Sequence, residues 1–161
     1  MRGSWSLTVG VMAAELGLVK IDSADSAAIE RDWLLRAEPV HRQLRDKLPA
    51  DYCARIVQVL AGGARLWLAT EGQAVVGVAV WRLVENTYEG RRLYVDDLVT
   101  DTAARSRGIG RYILSCLEEK ARGLGCQVLA LDSGTQRERA HQFYFRFGMT
   151  ISSFCFRKNL K

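Results

Sequence analysis

Leu98-Val99-Thr100-Asp101-Thr102-Ala103-Ala104-Arg105-Ser106-Arg107-Gly108-Ile109-Gly110-Arg111-Tyr112-Ile113-Leu114 changes character twice in a short span. It opens as the end of an apolar strand and passes through a polar loop. It closes on the first turns of a helix whose apolar positions are Ile109, Ile113, Leu114 and Leu117. A strand, a glycine-containing turn and a helix N-terminus together make a natural anion site. The first helical N–H groups have no intrahelical acceptor, and the helix dipole adds positive potential. Gly108 and Gly110 let a bulky phosphorylated group approach the backbone, and Arg105, Arg107 and Arg111 place cations at the rim. The turn is not a P-loop, because GxxxxGK followed by Ser or Thr is missing. Nor does it complete GxGxxG, since Ile113 stands where the third glycine is needed. What remains is Arg-x-x-Gly-x-Gly. By itself this motif also fits a plain β-to-α turn with no ligand.

Working outward, Leu93 to Thr100 reads as the strand entering this turn, and Gly108 to Leu124 as the helix leaving it, stopped by Gly125. Upstream, Arg65 to Thr70 and Val75 to Val84 form a hairpin across Glu71-Gly72-Gln73, followed by a loop from Glu85 to Arg92. Further upstream lie a strand at Leu16 to Ile21, a helix from Ala24 to Arg36 that Pro39 breaks, and a helix from Tyr52 to Ala61 ended by Gly62-Gly63. Residues 1–15 read as an extension or first strand, with an apolar patch at Leu7, Val9, Val11 and Met12 but no convincing cleavage site. Downstream, Cys126 to Asp132 is a strong candidate for a buried strand. Arg137 to Phe147 is a helix with Gly148 after it, and Thr150 to Arg157 is a final strand. The order β-α-α-β-β-β-α-β-α-β predicts one α/β (α+β mixed) domain over residues 1–161. Its sheet is mixed and mostly antiparallel, with helices on both faces.

The composition fits that scheme. The chain has 161 residues, 48% of them hydrophobic and 25% charged, enough apolar material for one core. No apolar run is long enough to span a bilayer, so no membrane partner is expected. The net charge of +5 is gathered in short clusters, Arg91-Arg92, Arg105 to Arg111 and Arg137 to Arg139, rather than in runs interleaved with aromatics. That favours a phosphorylated small molecule over nucleic acid. Cys53, Cys116, Cys126 and Cys155 form no CxxC or CxxH pair, and His41 and His141 stand alone, so no metal is expected. Reduced thiols in a cytoplasmic protein are the simplest account of the cysteines.

The quoted stretch resembles the acetyl-CoA segment of the GNAT superfamily of N-acetyltransferases. A second motif, Ala140-His141-Gln142-Phe143-Tyr144-Phe145-Arg146-Phe147-Gly148-Met149, is similar to that family's A-x-x-F-Y-x-x-x-G-F helix end. The chain departs from the family pattern at Thr102, Thr100, Arg137 and Met149, where Pro, Val, Asn and Phe are common. The resemblance covers about Leu93 to Phe156. It implies an acetyl-CoA-dependent N-acetyltransferase acting on a primary amine of a small molecule by direct attack in a ternary complex. A protein or peptide N-acetyltransferase and a non-catalytic acyl-CoA-binding module are the alternatives, and a homodimer stays open.

The cofactor residues it implies are Leu98, Val99 and Thr100, through backbone groups freed by a strand bulge, then Arg105, Ser106, Arg107, Gly108, Ile109, Gly110 and Arg111, with Arg137 and Tyr144. Tyr144 is the implied general acid for the leaving thiolate, although its place in the stripe Phe143, Tyr144, Phe147 equally suits plain packing. Because alkylamines are protonated at neutral pH, a base is also needed. Asp96 and Asp97, adjacent in an otherwise apolar strand and so on opposite faces, are the candidates, with Asp96 ahead. Trp33, Glu89 and Tyr94, with Glu85 and Tyr88, are candidates for an acceptor pocket, since acidic and aromatic groups suit a cationic amine.

Overall fold

The computed structural model describes residues 15–25 and 30–160; the expected extension at residues 1–15 lies almost wholly outside them. Among the described residues the elements are β1 (Leu16–Ile21), α1 (Arg31–Arg42), α2 (Tyr52–Ala61), β2 (Ala64–Glu71), β3 (Ala74–Asn86), β4 (Gly90–Thr100), α3 (Ile109–Gly123), β5 (Val128–Leu131) and α4 (Glu138–Arg146). The strands form one sheet in the order β1-β2-β3-β4-β5. All neighbours are antiparallel except β4 and β5, which run parallel. This is the mixed, mostly antiparallel α/β fold that the element order predicts.

The two faces of the sheet bury different side chains. On one face α1 and α2 cover Leu66, Leu68, Val78, Val80 and Val99. On the other, α3 packs Ile109, Ile113, Leu114 and Leu117 against Trp67, Ala79, Trp81, Leu93 and Val95. α3 approaches the sheet closely at Gly77: a Cβ there would lie 2.7 Å from Ile113 Cδ1 and 2.9 Å from Ile109 Cγ2.

β4 carries the feature that positions the site. Val80 pairs with Asp97 while Trp81 pairs with Val95, so Asp96 is an extra, bulged residue. A one-residue slip exchanges the faces of everything beyond it. Leu93 and Val95 accordingly face α3, whereas Val99, at the same parity, faces α1 and α2. β5 accompanies β4 only over Arg92–Val95, opposite Val128–Leu131. Beyond Val95 the sheet opens, and Leu98, Val99 and Thr100 present one backbone edge that no strand covers among the described residues.

Three expectations are corrected. Pro39 does not break the first helix, which runs on to Arg42. Leu34, Ala37, Val40 and His41 are buried along its inner face while Pro39 is exposed. Packing therefore outweighs one lost hydrogen bond, whose carbonyl can turn to water. The final strand at Thr150 to Arg157 is not formed; that segment is exposed and has no ladder partner. β5 in consequence is a sheet edge, half-buried rather than buried.

Candidate active site

α3 starts abruptly because the turn before it reverses the chain twice. Gly108 caps the helix at φ +83°. Two residues earlier Ser106 also adopts a left-handed conformation, φ +63°, the one non-glycine residue to do so among the described residues. Such reversals turn backbone N–H groups to one side and make an anion-binding concavity. Asp101 prepares the approach by accepting from the Ala103 N–H at 3.1 Å, which shapes the single turn Thr102–Ala104.

The turn forms one end of a cavity of about 890 Å³. One wall is Leu98, Val99 and Thr100 on β4, with Gln43 and Leu44 beyond the end of α1. The other is α4, which contributes Phe143 and Tyr144, with Phe147 just past its end. Arg105, Arg111, Arg137, Arg139 and Arg146 border the cavity and only Glu138 opposes them. Among the described residues none of these five arginines is in an ion pair. A lining rich in unpaired arginine, next to free helix amides, suits a polyanion.

Of the residues singled out in the sequence, Leu98, Val99, Thr100, Arg105, Ser106, Gly108, Ile109, Gly110, Arg111, Arg137 and Tyr144 line this cavity. Arg107 does not; its guanidinium pairs with Glu71. The bulge at Asp96 interrupts the alternation expected to put Asp96 and Asp97 on opposite faces; neither lines the cavity, and both are engaged. Asp96 accepts from Arg82 Nε at 2.7 Å. Asp97 lies 3.0 Å from His41 Nε2 and accepts from Arg45 Nε at 2.6 Å. Burial pushes the Asp97 carboxyl up, but the hydrogen bonds from His41 and Arg45 outweigh it and hold it below the usual carboxylate range.

The proposed acceptor residues are spread out. Trp33 packs against the core under α1 and α2, Glu89 pairs with Arg92 at 3.4 Å, and Tyr94 has Arg92 over its ring. None of the three lines the cavity. His141 is tied to the Gly134 carbonyl at 2.9 Å.

A family model described as the acetyltransferase (GNAT) family matches residues 28–149. The chain belongs to the GNAT acetyltransferase family. It is 42% identical to the N-acetyltransferase YhdJ of Bacillus subtilis over 72 residues, which cover 44% of this chain and 51% of that one. It is 31% identical to the thialysine N-epsilon-acetyltransferase of Bos taurus over 78 residues, covering 48% and 46%. The chain thus spans about half the length of the curated relatives it matches. Among solved structures, an aminoglycoside N-acetyltransferase in complex with CoA superposes with a TM-score of 0.75 at 13% identity, over 93% of this chain and 99% of that one. That likeness is one of fold.

Within this GNAT domain Tyr144 is half-buried between Phe143 and the cavity. Burial pushes its phenol pKa up, with Arg137 opposing, so the hydroxyl stays protonated at neutral pH. Gln43, Leu44 and Arg146 are lining residues that sequence reasoning missed. Arg146 lies inside the second motif, on the helix face that carries Phe143 and Phe147, and helical spacing could have found it. Gln43 and Leu44 carry no comparable signal.

Proposed function

We propose that this chain binds acetyl-CoA in the cavity between β4 and α4 and transfers the acetyl group to a primary amine of a small molecule. One observation carries the reading. The uncovered backbone edge at Leu98–Thr100 leads through the short turn Thr102–Ala104 into the left-handed turn at Ser106 and Gly108, so a strand edge, free helix amides and unpaired arginines share one cavity. The fit to coenzyme A is by parts. The turn and Arg105 and Arg111 suit its phosphates, and the β4 edge suits the amide-bearing arm in the manner of an added strand.

When bound, acetyl-CoA supplies an activated thioester. This chain's residues then have three tasks. Backbone N–H groups near Leu98–Thr100 orient the acyl carbonyl and stabilise charge on its oxygen. Tyr144, kept protonated by burial, donates its proton toward the sulfur. Asp96, held by a single arginine and set outside the cavity lining, accepts the amine proton through water. Asp97 is the poorer base because its two partners stabilise its charged form. A small-molecule acceptor agrees with the names of the relatives, one of which acts on thialysine.

The test is a panel of primary amines and short peptides incubated with acetyl-CoA, read by release of free thiol. Release with at least one small amine is expected. Release only with peptides would move the acceptor class, and CoA binding with no release from any acceptor would mark a binding module instead.

A further inference from the structure

Three side chains at alternate positions around the end of α1 converge on the cavity-facing half of β4. His41, 1% exposed, has Nδ1 2.9 Å from the Tyr52 hydroxyl and Nε2 3.0 Å from Asp97 Oδ2. Arg45 donates from Nε to Asp97 Oδ1 at 2.6 Å and from Nη2 to the Asp96 carbonyl at 3.2 Å. Gln43 Nε2 donates to Asp101 Oδ1 at 3.1 Å, while its Oε1 accepts from the Thr102 N–H at 2.9 Å.

The contacts bracket one segment. His41 and Arg45 hold residues 96–97 on one side of Leu98–Thr100, and Gln43 holds residues 101–102 on the other. The bracketed residues lie beyond the last β5 pairing, at Val95. A strand bulged at one end and uncovered along one edge is free to bend toward the gap. The bulge carbonyl at Asp96, which the local break in the ladder leaves accessible, is the atom that Arg45 takes up. Arg45 and Gln43 are themselves exposed, so these bonds add little to global stability. They act on local geometry. His41 supports them from below, with both ring nitrogens engaged in the buried layer.

We infer that His41, Gln43 and Arg45 form a polar clamp that fixes the position of the open β4 edge, and that they are positioning residues for the acyl-CoA arm. The inference rests on the proposed function and adds residues from outside both sequence motifs. None of the three needs to touch the reacting atoms.

The experiment compares the unaltered chain with Gln43→Ala, Arg45→Ala, Arg45→Lys and the double alanine variant. It measures the Kd for CoA by calorimetry, the KM for acetyl-CoA and for the amine, and the Tm. Each single alanine variant is expected to raise the CoA Kd and the acetyl-CoA KM about three- to tenfold, with the amine KM within about twofold. The double variant should exceed either, with the Tm lowered by no more than about 3 °C. Arg45→Lys keeps the charge but cannot reach both Asp97 and the Asp96 carbonyl, so it should recover only part of the loss. A CoA Kd within about twofold of the parent in the double variant, whatever its Tm, overturns the clamp. If the unaltered chain binds no CoA, the assignment of the cavity fails first and the clamp falls with it.

Discussion

The two walls of the cavity are built differently. The β4 wall is fixed: its inner residues sit in a sheet covered on both faces, its bulge is held by Arg45 and Arg82, and His41 and Gln43 secure its ends. The α4 wall is loose. α4 buries no residue completely, β5 is a half-exposed edge strand, and the arginines α4 presents are unpaired among the described residues. The walls meet at Gly110, where a Cβ would lie 3.3 Å from Phe143 Cζ and 3.5 Å from Thr100 Oγ1. The difference agrees with what each wall would supply under the proposed function. Backbone donors that stabilise developing charge work only if they are in place beforehand. A wall that admits and releases a long cofactor gains from low local stability.

The largest expected effect breaks the turn that joins the walls. Gly108→Asp should lower CoA affinity at least about 100-fold, because a left-handed residue becomes strained and a carboxylate enters the anion site. No atom lies within 4 Å of the new Cβ, so the chain should still fold. Calorimetry with a parallel melting curve separates the two, and unchanged affinity would remove the phosphate assignment. Next comes the loose wall alone. Tyr144→Phe should lower kcat about tenfold or more with the CoA Kd within about twofold, as loss of a proton donor requires. Full activity in that variant would leave Tyr144 as a packing residue.

The turn, the α4 motif and the strand Leu93 to Thr100 were legible in the sequence, and its bulge was expected from the family resemblance, while the side chains that hold that strand were not. Gly108, Arg105 and the Phe143-Tyr144 helix sit in contiguous motifs, and their geometry follows from local rules about glycine turns and helix ends. The bulge at Asp96 leaves no trace in composition, and simple alternation assigns Val95 and Val99 to the same face when they lie on opposite ones. The clamp joins residues more than fifty positions apart, so His41 stands alone along the chain and becomes partnered only in the fold. Pro39 and the Thr150 to Arg157 segment misled for one reason. Propensity fixes neither the end of a helix with a buried face nor the pairing of a strand with no neighbour to meet.

A smaller effect tests the fixed wall through pH. Because the folded Asp97 carboxyl lies below its ordinary range, it contributes stability above the unfolded pKa, and this contribution disappears as pH falls through the folded value. Asp97→Asn should therefore cost about 1–2 kcal/mol at pH 7 by denaturant unfolding, the size of a hydrogen-bonded charge. The gap to the parent should narrow below about pH 4. A gap that did not depend on pH would mean that Asp97 acts through shape rather than charge.

The smallest expected effect lies at the far edge of the loose wall. Phe154 is 82% exposed, in a segment whose β-forming residues pair with nothing among the described residues. Phe154→Ser should change unfolding stability by less than about 0.5 kcal/mol, the usual range for an exposed side chain. CoA affinity should stay within about twofold, since this residue lies away from the cavity lining. A drop of several degrees in Tm would mean that the segment is packed in solution and that β5 has a second neighbour. The wall carrying Tyr144 would then be braced from behind, and the contrast with β4 would shrink to the clamp alone.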